Sequence, residues 1–277
     1  MNATTSTEVG ERVLDAATRA AAELFGPRLV AAYALGSLAH GGFNALVSDV
    51  DLALVFDGPL RADDEANVAK LKQSIVDSGM PLAERLSTFW GSKQAIGRPD
   101  SAGRFPPLDV LDLVLHGRLL AGRESRDGIP TPTHDELVIG GVRFALEVLR
   151  TQADIRALRE PTLLYANGAR RVTKRVLFPI RFLFTARTGR IGRVELAVEH
   201  YLELGQPACE LVREAMGWRY ELPEQDEQPL RLLSAHLVPL YAELLEDHIV
   251  RMEELHQPPL ASALRKWGEE LGIHQPP

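Results

Sequence analysis

Cysteine is almost absent from this 277-residue chain, which contains only Cys209. A single cysteine excludes an internal disulfide and a zinc site built from several thiolates. The chain also lacks an apolar run close to the roughly 20 residues that a helix needs to span a bilayer. Its first residues show no basic segment followed by an apolar core, so we expect no signal peptide and no membrane partner. These absences predict a cytoplasmic protein.

Positive charge is also in deficit, with 31 Lys and Arg against 38 Asp and Glu and a formal net charge of −7. Broad, nonspecific binding of nucleic acid usually comes with a basic balance. The charge therefore argues against a nucleic-acid partner, although it leaves room for a local basic face. The hydrophobic content of 45% and the charged content of 25% are ordinary for a globular protein of one large domain or two modest ones.

Several catalytic signatures are missing as well. There is no Gly-x-Ser-x-Gly elbow and no Gly-x-Gly-x-x-Gly fingerprint, which excludes the usual hydrolases and dinucleotide-binding enzymes. No glycine-rich loop ends in Gly-Lys-Ser or Gly-Lys-Thr, so the chain has no Walker A motif. The eight histidines show no His-Glu-x-x-His or other paired metal spacing.

The most informative stretch runs from Tyr33 to Phe56, with the sequence YALGSLAHGGFNALVSDVDLALVF. Its two apolar runs predict strands, and Gly36-Ser37 marks a turn between them. Asp49 and Asp51 point to the same side, because side chains alternate along a strand. Adjacent carboxylates repel unless a cation lies between them, and Mg²⁺ takes carboxylate oxygens together with substrate phosphates. The turn offers N–H groups and a hydroxyl to those phosphates.

This stretch resembles the signature of the nucleotidyltransferase superfamily that includes DNA polymerase β and kanamycin nucleotidyltransferase. The resemblance rests on the Gly36-Ser37 turn and on Asp49 and Asp51 in their order and spacing. Many members carry Arg where this chain has His40. The resemblance implies that the two aspartates hold Mg²⁺. It also implies that the Gly-Ser turn binds the β- and γ-phosphates of a nucleoside triphosphate, here ATP.

The superfamily places a third carboxylate on a neighbouring strand, and Glu84 is our first choice for it. Residues 81–90 are rich in β-branched and aromatic side chains, which predict that strand, with Glu84 near its start. Streptomycin and spectinomycin adenylyltransferases, which this chain resembles further on, carry a Glu near the start of the same strand. Glu84 is accordingly predicted as a catalytic residue and third metal ligand. Asp109 and Asp112 are its rivals, from the segment PPLDVLDL.

Hydrophobic periodicity outlines the first domain. It predicts helices over 6–26 and 62–78 and strands over 29–35 and 50–56. Residues 108–122 fit a strand or a short helix followed by a small hairpin, and the pattern does not separate the two. We predict an α/β nucleotidyltransferase domain with a short mixed sheet over residues 1–125.

The pattern of apolar residues changes after residues 123–133, a polar segment that contains prolines. We place the domain boundary there. Beyond it, apolar residues recur at helical spacing, which predicts an all-α helical-bundle domain over residues 133–277. The predicted helical segments are 134–158, 161–188, 194–204, 207–217 and 228–254.

Residues 172–205 resemble the helical C-terminal domain of the aminoglycoside adenylyltransferases that act on streptomycin and spectinomycin. The shared features are a long apolar helix, the Thr-Gly-Arg-Ile turn at 188–191 and an acidic helix after it. In that family the drug lies between the domains, held by acidic and aromatic residues. Glu195 and Glu199 match the acidic positions and share one helix face. Leu183 stands where the family has an aromatic residue.

Four basic residues precede Glu195 in the sequence and form a cluster: Arg170, Arg171, Lys174 and Arg175. The superfamily often uses a Lys or Arg of the second domain to hold the triphosphate, and the resemblance implies this role for Lys174. The other three are predicted to form a solvated stripe.

Together these features predict a metal-dependent adenylyltransferase. It transfers AMP from ATP to a hydroxyl of a small molecule, an aminoglycoside being one candidate, and releases pyrophosphate. Two alternatives stay open at this point. One is modification of RNA or protein, as in toxin–antitoxin nucleotidyltransferases. The other is a non-catalytic nucleotide-binding protein on the same scaffold.

Overall fold

The computed structural model describes residues 3–98, 102–223 and 227–273, with the side chains of 3–5 excepted. The chain divides into two compact units, Met1–Pro132 and Thr133–Pro277. The last residues of the second predicted domain, 274–277, lie outside the described part of the chain.

The first unit is built on a five-stranded mixed sheet. Its strands are β1 Leu29–Leu35, β2 Val50–Phe56, β3 Leu86–Ser92, β4 Gly103–Arg104 and β5 Arg118–Gly122. Their order across the sheet is β4-β3-β2-β1-β5. Neighbours run antiparallel except β2 and β3, which are parallel. This confirms the predicted short mixed sheet.

Helices cover both faces of the sheet. They are α1 Ala3–Phe25, α2 Gly36–His40, α3 Asp64–Asp77 and α4 Pro107–His116. Apolar side chains of α1 and α3 pack with Leu52 and Leu54 on one face, whereas α4 packs with Ala53 and Val55 on the other. Because β1 and β2 are buried on both faces, their sequences are continuous apolar runs rather than alternating ones. This is why β1 and β2 have the bounds that the sequence predicts.

The third strand begins later than predicted. Leu82 adopts a left-handed conformation with φ 68°, and Ala83–Arg85 form a 3₁₀ turn before β3 starts at Leu86. The expectation that Glu84 lies in this strand, near its start, is therefore wrong. Residues 108–122, for which the sequence left two possibilities, form α4 followed by the single strand β5, which pairs with β1.

The first unit continues past residue 125 into the segment that composition assigned to a boundary. Ile129 joins the core under α4, and Ser125 is buried. The Tyr33 hydroxyl donates to Glu124 Oε1 at 2.9 Å and accepts from the Ser125 amide at 2.7 Å. Burial and the Glu124 carboxylate raise the pKa of Tyr33 to about 12. These contacts attach the segment to β1.

The second unit is helical throughout its described residues. Its helices are α5 His134–Val148, α6 Gln152–Arg159, α7 Pro161–Ala166, α8 Gly168–Thr188, α9 Val194–Glu203, α10 Cys209–Trp218, α11 Gln228–Glu254 and α12 Pro258–Leu271. This confirms the predicted helical domain. Thr133 begins α5 with a capping box, and Thr151 caps α6, so the predicted helix over 134–158 is two helices. None of the described helices combines the length and the apolar character that crossing a bilayer requires.

Candidate active site

The two aspartates of the signature lie where β2 begins. Asp51 pairs with Leu35 of β1, so the start of β2 lies beside the end of β1. Asp51 shares the parity of Ala53 and Val55, which places it on the sheet face that α4 covers. Asp49 comes just before β2, and both aspartates are half-buried on either side of the buried Val50.

Gly36 follows β1 directly and contacts the Asp51 side chain. Its φ is +58°, and a Cβ atom built on it would lie 2.4 Å from Asp51 Oδ2. A glycine is required here for two reasons, because the backbone is left-handed and the carboxylate lies against the Cα atom. The Gly36 N–H donates to Asp112 Oδ2 at 2.6 Å. One turn therefore contacts two carboxylates that are distant in sequence.

If the chain catalyses the nucleotidyl transfer that its sequence predicts, Gly36→Ala should lower the rate by about 10²-fold, because displacing a group of the active site by about 1 Å has an effect of that size. The methyl group would force the Asp51 carboxylate away from the turn. The left-handed backbone would add about 1–2 kcal/mol of strain. Steady-state kinetics and thermal unfolding measure the two effects.

Gly58→Ala is the matched control for that substitution. Gly58 has a similar φ of +67°, but apart from its chain neighbours no heavy atom of the described residues lies within 4 Å of the position that a Cβ atom would take there. The variant should share the strain and leave the transfer rate unchanged. Equal loss of activity in both variants would show that strain, and not the Asp51 contact, matters at Gly36.

Two histidines accompany Asp112. His40 Nε2, in α2, lies 3.9 Å from Asp112 Oδ1. The rings of His40 and His116 meet edge to face, with centroids 5.4 Å apart. Asp112 and His116 are four residues apart on α4, which brings both to one helix face. Ser37 is half-buried in the first turn of α2. Sequence reasoning missed His116, whose spacing from Asp112 becomes a signal once residues 107–116 are known to be helical.

Glu84 is not among the carboxylates that the structure brings to the Gly36 turn. It is an exposed side chain in the 3₁₀ turn, and its Oε1 lies 3.5 Å from Arg85 Nε. The β3 residue paired with Asp51 is Ser87. The strand position beside Asp51 therefore presents a hydroxyl and no carboxylate. Asp112, the rival considered for the third carboxylate, is the acid that the structure brings to the Gly36 turn.

The carboxylates of this site could bind Mg²⁺ only together with phosphate oxygens of a substrate. Within residues 3–98, 102–223 and 227–273, no three acidic, histidine or cysteine side chains are grouped to hold a metal ion. Mg²⁺ is, however, commonly bound by one or two carboxylates together with substrate phosphates. Asp49 and Asp51 supply such a pair, so they fit a metal that arrives with a triphosphate.

The basic cluster of α8 has two environments. Lys174 is half-buried, with its Nζ 5.5 Å from the centre of the Phe178 ring. Arg175 is only 5% exposed, and its Nε donates to Asp154 Oδ1 at 2.8 Å. Arg171 donates to the same oxygen at 2.6 Å. The predicted solvated stripe is thus wrong for Arg175, which is a buried partner of Asp154.

Glu195 and Glu199 differ although both belong to α9. Glu195 is half-buried with its Oε1 3.7 Å from Arg219 Nη1, whereas Glu199 is exposed. Burial lowers the pKa of Arg219, and the neighbouring charge of Arg181 lowers it further, while Glu195 opposes this. The charge of Glu195 is therefore largely offset within the second unit itself.

No protein-family model matches the chain, and no curated protein matches it by sequence. By its three-dimensional structure, however, the chain matches a solved structure, spectinomycin adenyltransferase AAD(9) from Enterococcus faecialis, determined with ATP and spectinomycin. The match has a TM-score of 0.57 at 13% sequence identity and covers 82% of this chain and 97% of that one. The chain thus shares the fold of that structure, and in this chain a mixed sheet is followed by helices.

Proposed function

We propose that the protein is a nucleotidyltransferase that transfers AMP from ATP to a hydroxyl of a small molecule. The observation that carries this proposal is the packing of the Asp51 carboxylate on the left-handed Gly36 turn, at the junction of β1 and β2. The similar structure, spectinomycin adenyltransferase, was solved with ATP, which supports ATP as the nucleotide.

In the proposed reaction the acceptor oxygen forms a bond to the α-phosphorus of ATP. The bond from that phosphorus to the bridging oxygen breaks, and pyrophosphate leaves. Asp49 and Asp51 would hold Mg²⁺, which when bound neutralises phosphate charge and polarises the phosphoryl oxygens. The Gly36 amide and the Ser37 hydroxyl would bind phosphate oxygens, and Lys174 would add a positive charge.

Glu84 is proposed as the base that takes the acceptor proton, with no part in metal binding, because the β3 residue paired with Asp51 is Ser87. Its exposure in the turn before β3 leaves its carboxylate accessible to an acceptor. Glu84→Gln should then lower kcat, with little change in the affinity for ATP. Equal kcat values for Glu84→Gln and wild type would remove Glu84 from the mechanism.

For the acceptor, we propose a small hydroxylated molecule that Glu195 and Glu199 contact through its cationic groups. Because Arg219 offsets Glu195, Glu199 is the one of these two glutamates that presents an exposed negative charge. This favours acceptors with few cationic groups. Spectinomycin, which the similar adenyltransferase was solved with, is the first compound to test, followed by more highly charged aminoglycosides.

The test is a transfer assay with ATP labelled on the α-phosphate, Mg²⁺ and a panel of hydroxylated compounds. We expect acceptor-dependent release of pyrophosphate and a product that carries AMP by mass spectrometry. Labelled RNA or protein in place of a small product would support a macromolecule-modifying enzyme instead. Nucleotide binding without transfer to any acceptor would support a non-catalytic protein, and absence of nucleotide binding would contradict the proposal.

A further inference from the structure

Asp112 is a buried acid whose two oxygens have unlike surroundings. The residue is 9% exposed, and its Oδ2 accepts the Gly36 N–H at 2.6 Å. Its Oδ1 is buried without a hydrogen-bond partner among the described residues, 3.9 Å from His40 Nε2. Leaving a buried carboxylate oxygen unsatisfied is unfavourable, so this arrangement calls for a physical reason.

The Gly36 amide is the group that matters most in this contact. A bond from an amide to a carboxylate is short and stronger than a bond between neutral groups. The same amide is the donor that the proposed function assigns to a phosphate oxygen. A single N–H cannot serve both acceptors at full strength, and a carboxylate beside a triphosphate also repels it.

We infer that Asp112 occupies the phosphate-binding amide of Gly36 as an internal anion and that ATP must displace it. This inference rests on the proposed function. Asp112 is a positioning residue here, because it acts through the Gly36 turn and holds that turn in its left-handed conformation while nucleotide is absent. Its competition with phosphate weakens ATP binding.

After displacement, His40 is the residue that the Asp112 carboxylate would contact in place of the Gly36 amide. Its Nε2 already lies 3.9 Å from Oδ1, so a small rotation of the Asp112 side chain exchanges the amide for the imidazole. The His40 ring also packs edge to face against His116. Without such a neighbour, displacement would leave a buried charge with no compensation, which proteins avoid.

Asp112→Asn tests the inference, because asparagine keeps the shape and one acceptor oxygen and removes the charge. The dissociation constant of a non-hydrolysable ATP analogue with Mg²⁺ would be measured by calorimetry for wild type and for the variant. We expect about fivefold tighter binding by Asp112→Asn, the size expected when a charged hydrogen bond is replaced by a neutral one. Asp77→Asn, an exposed acid of α3 in the same unit, should bind like wild type.

Unchanged or weaker binding by Asp112→Asn would overturn the inference, since a metal ligand or a purely structural residue predicts weakening. Nucleotide binding by the wild type would still stand in that case, and with it the proposed function. If neither wild type nor any variant bound nucleotide, the proposed function would fail, and the inference with it.

A second measurement needs only the wild-type protein and so does not depend on the folding of a variant. The amide proton of Gly36 should resonate at unusually low field in the NMR spectrum without nucleotide, because it donates to a carboxylate. Adding the ATP analogue should shift this resonance as phosphate replaces Asp112, together with the side-chain resonances of Asp112 and His40. A Gly36 signal that moves while those of Asp112 and His40 stay fixed would contradict displacement.

Discussion

Asp51→Asn is expected to lower nucleotidyl transfer by about 10³-fold, because it removes one of the two charges that would hold the metal against the triphosphate. Asparagine has the size of aspartate, so it should preserve the packing against Gly36. The variant should therefore fold like wild type and lose its activity through chemistry alone. Initial rates at saturating ATP and a thermal unfolding curve measure both properties.

Asp57→Asn is the matched control for Asp51→Asn. Asp57 follows the opposite end of β2, where it is exposed and its backbone amide donates to Arg28. The same change of charge just beyond the other end of that strand should leave the rate within about twofold of wild type, because solvent screens an exposed carboxylate. Full activity in Asp51→Asn would exclude Asp51 as a metal ligand and with it the proposed mechanism.

The sequence predicts the strands of the signature well because their physical cause is local. β1 and β2 are buried on both faces, so each is an unbroken apolar run that ends at a glycine or a polar residue. The pairing of Asp51 with the Gly36 turn follows from their short separation in the chain. Residues 29–56 thus contain most of the information that places these groups together.

The contact between Asp112 and Gly36 could not be predicted in that way. The two residues are 76 positions apart, and the hydrophobic spacing of 108–122 fits a helix and a strand equally. Only the packing of α4 on the sheet decides between them, and only the helix brings Asp112 to the turn. The sequence favours Glu84 because it lies in the segment 81–90 that predicts a strand, but after Leu82 and the 3₁₀ turn that strand begins five residues later, at Leu86.

The same limit applies to charged residues in the second unit. Arg171 and Arg175 appear in the sequence as part of a basic cluster, for which exposure is the common outcome. Their partner, Asp154, belongs to another helix, and no periodicity reveals the pairing. Helical spacing predicts which elements form, but it does not predict which charges become buried between them.

Asp154→Ala is expected to destabilise the second unit by about 3–5 kcal/mol, the usual effect of removing one member of a buried ion pair. Asp154 is 1% exposed and accepts hydrogen bonds from Arg171, Arg175 and the Thr151 hydroxyl, the last at 2.6 Å. Without it, the Arg175 guanidinium would stay buried without its counter-charge. Urea unfolding followed by tryptophan fluorescence, to which the buried Trp218 and Trp267 of the same unit contribute, measures the loss.

Glu160→Ala provides the comparison. Glu160, which follows α6, has its Oε1 3.4 Å from Nε of Arg156 in α6, and both side chains are exposed. An exposed pair of this kind contributes about 0–1 kcal/mol, because water and salt screen it. If Asp154→Ala were no more destabilising than Glu160→Ala, the buried arginine would have another source of compensation. A large difference between the two would show that burial, and not the number of ion pairs, determines what these charges contribute to stability.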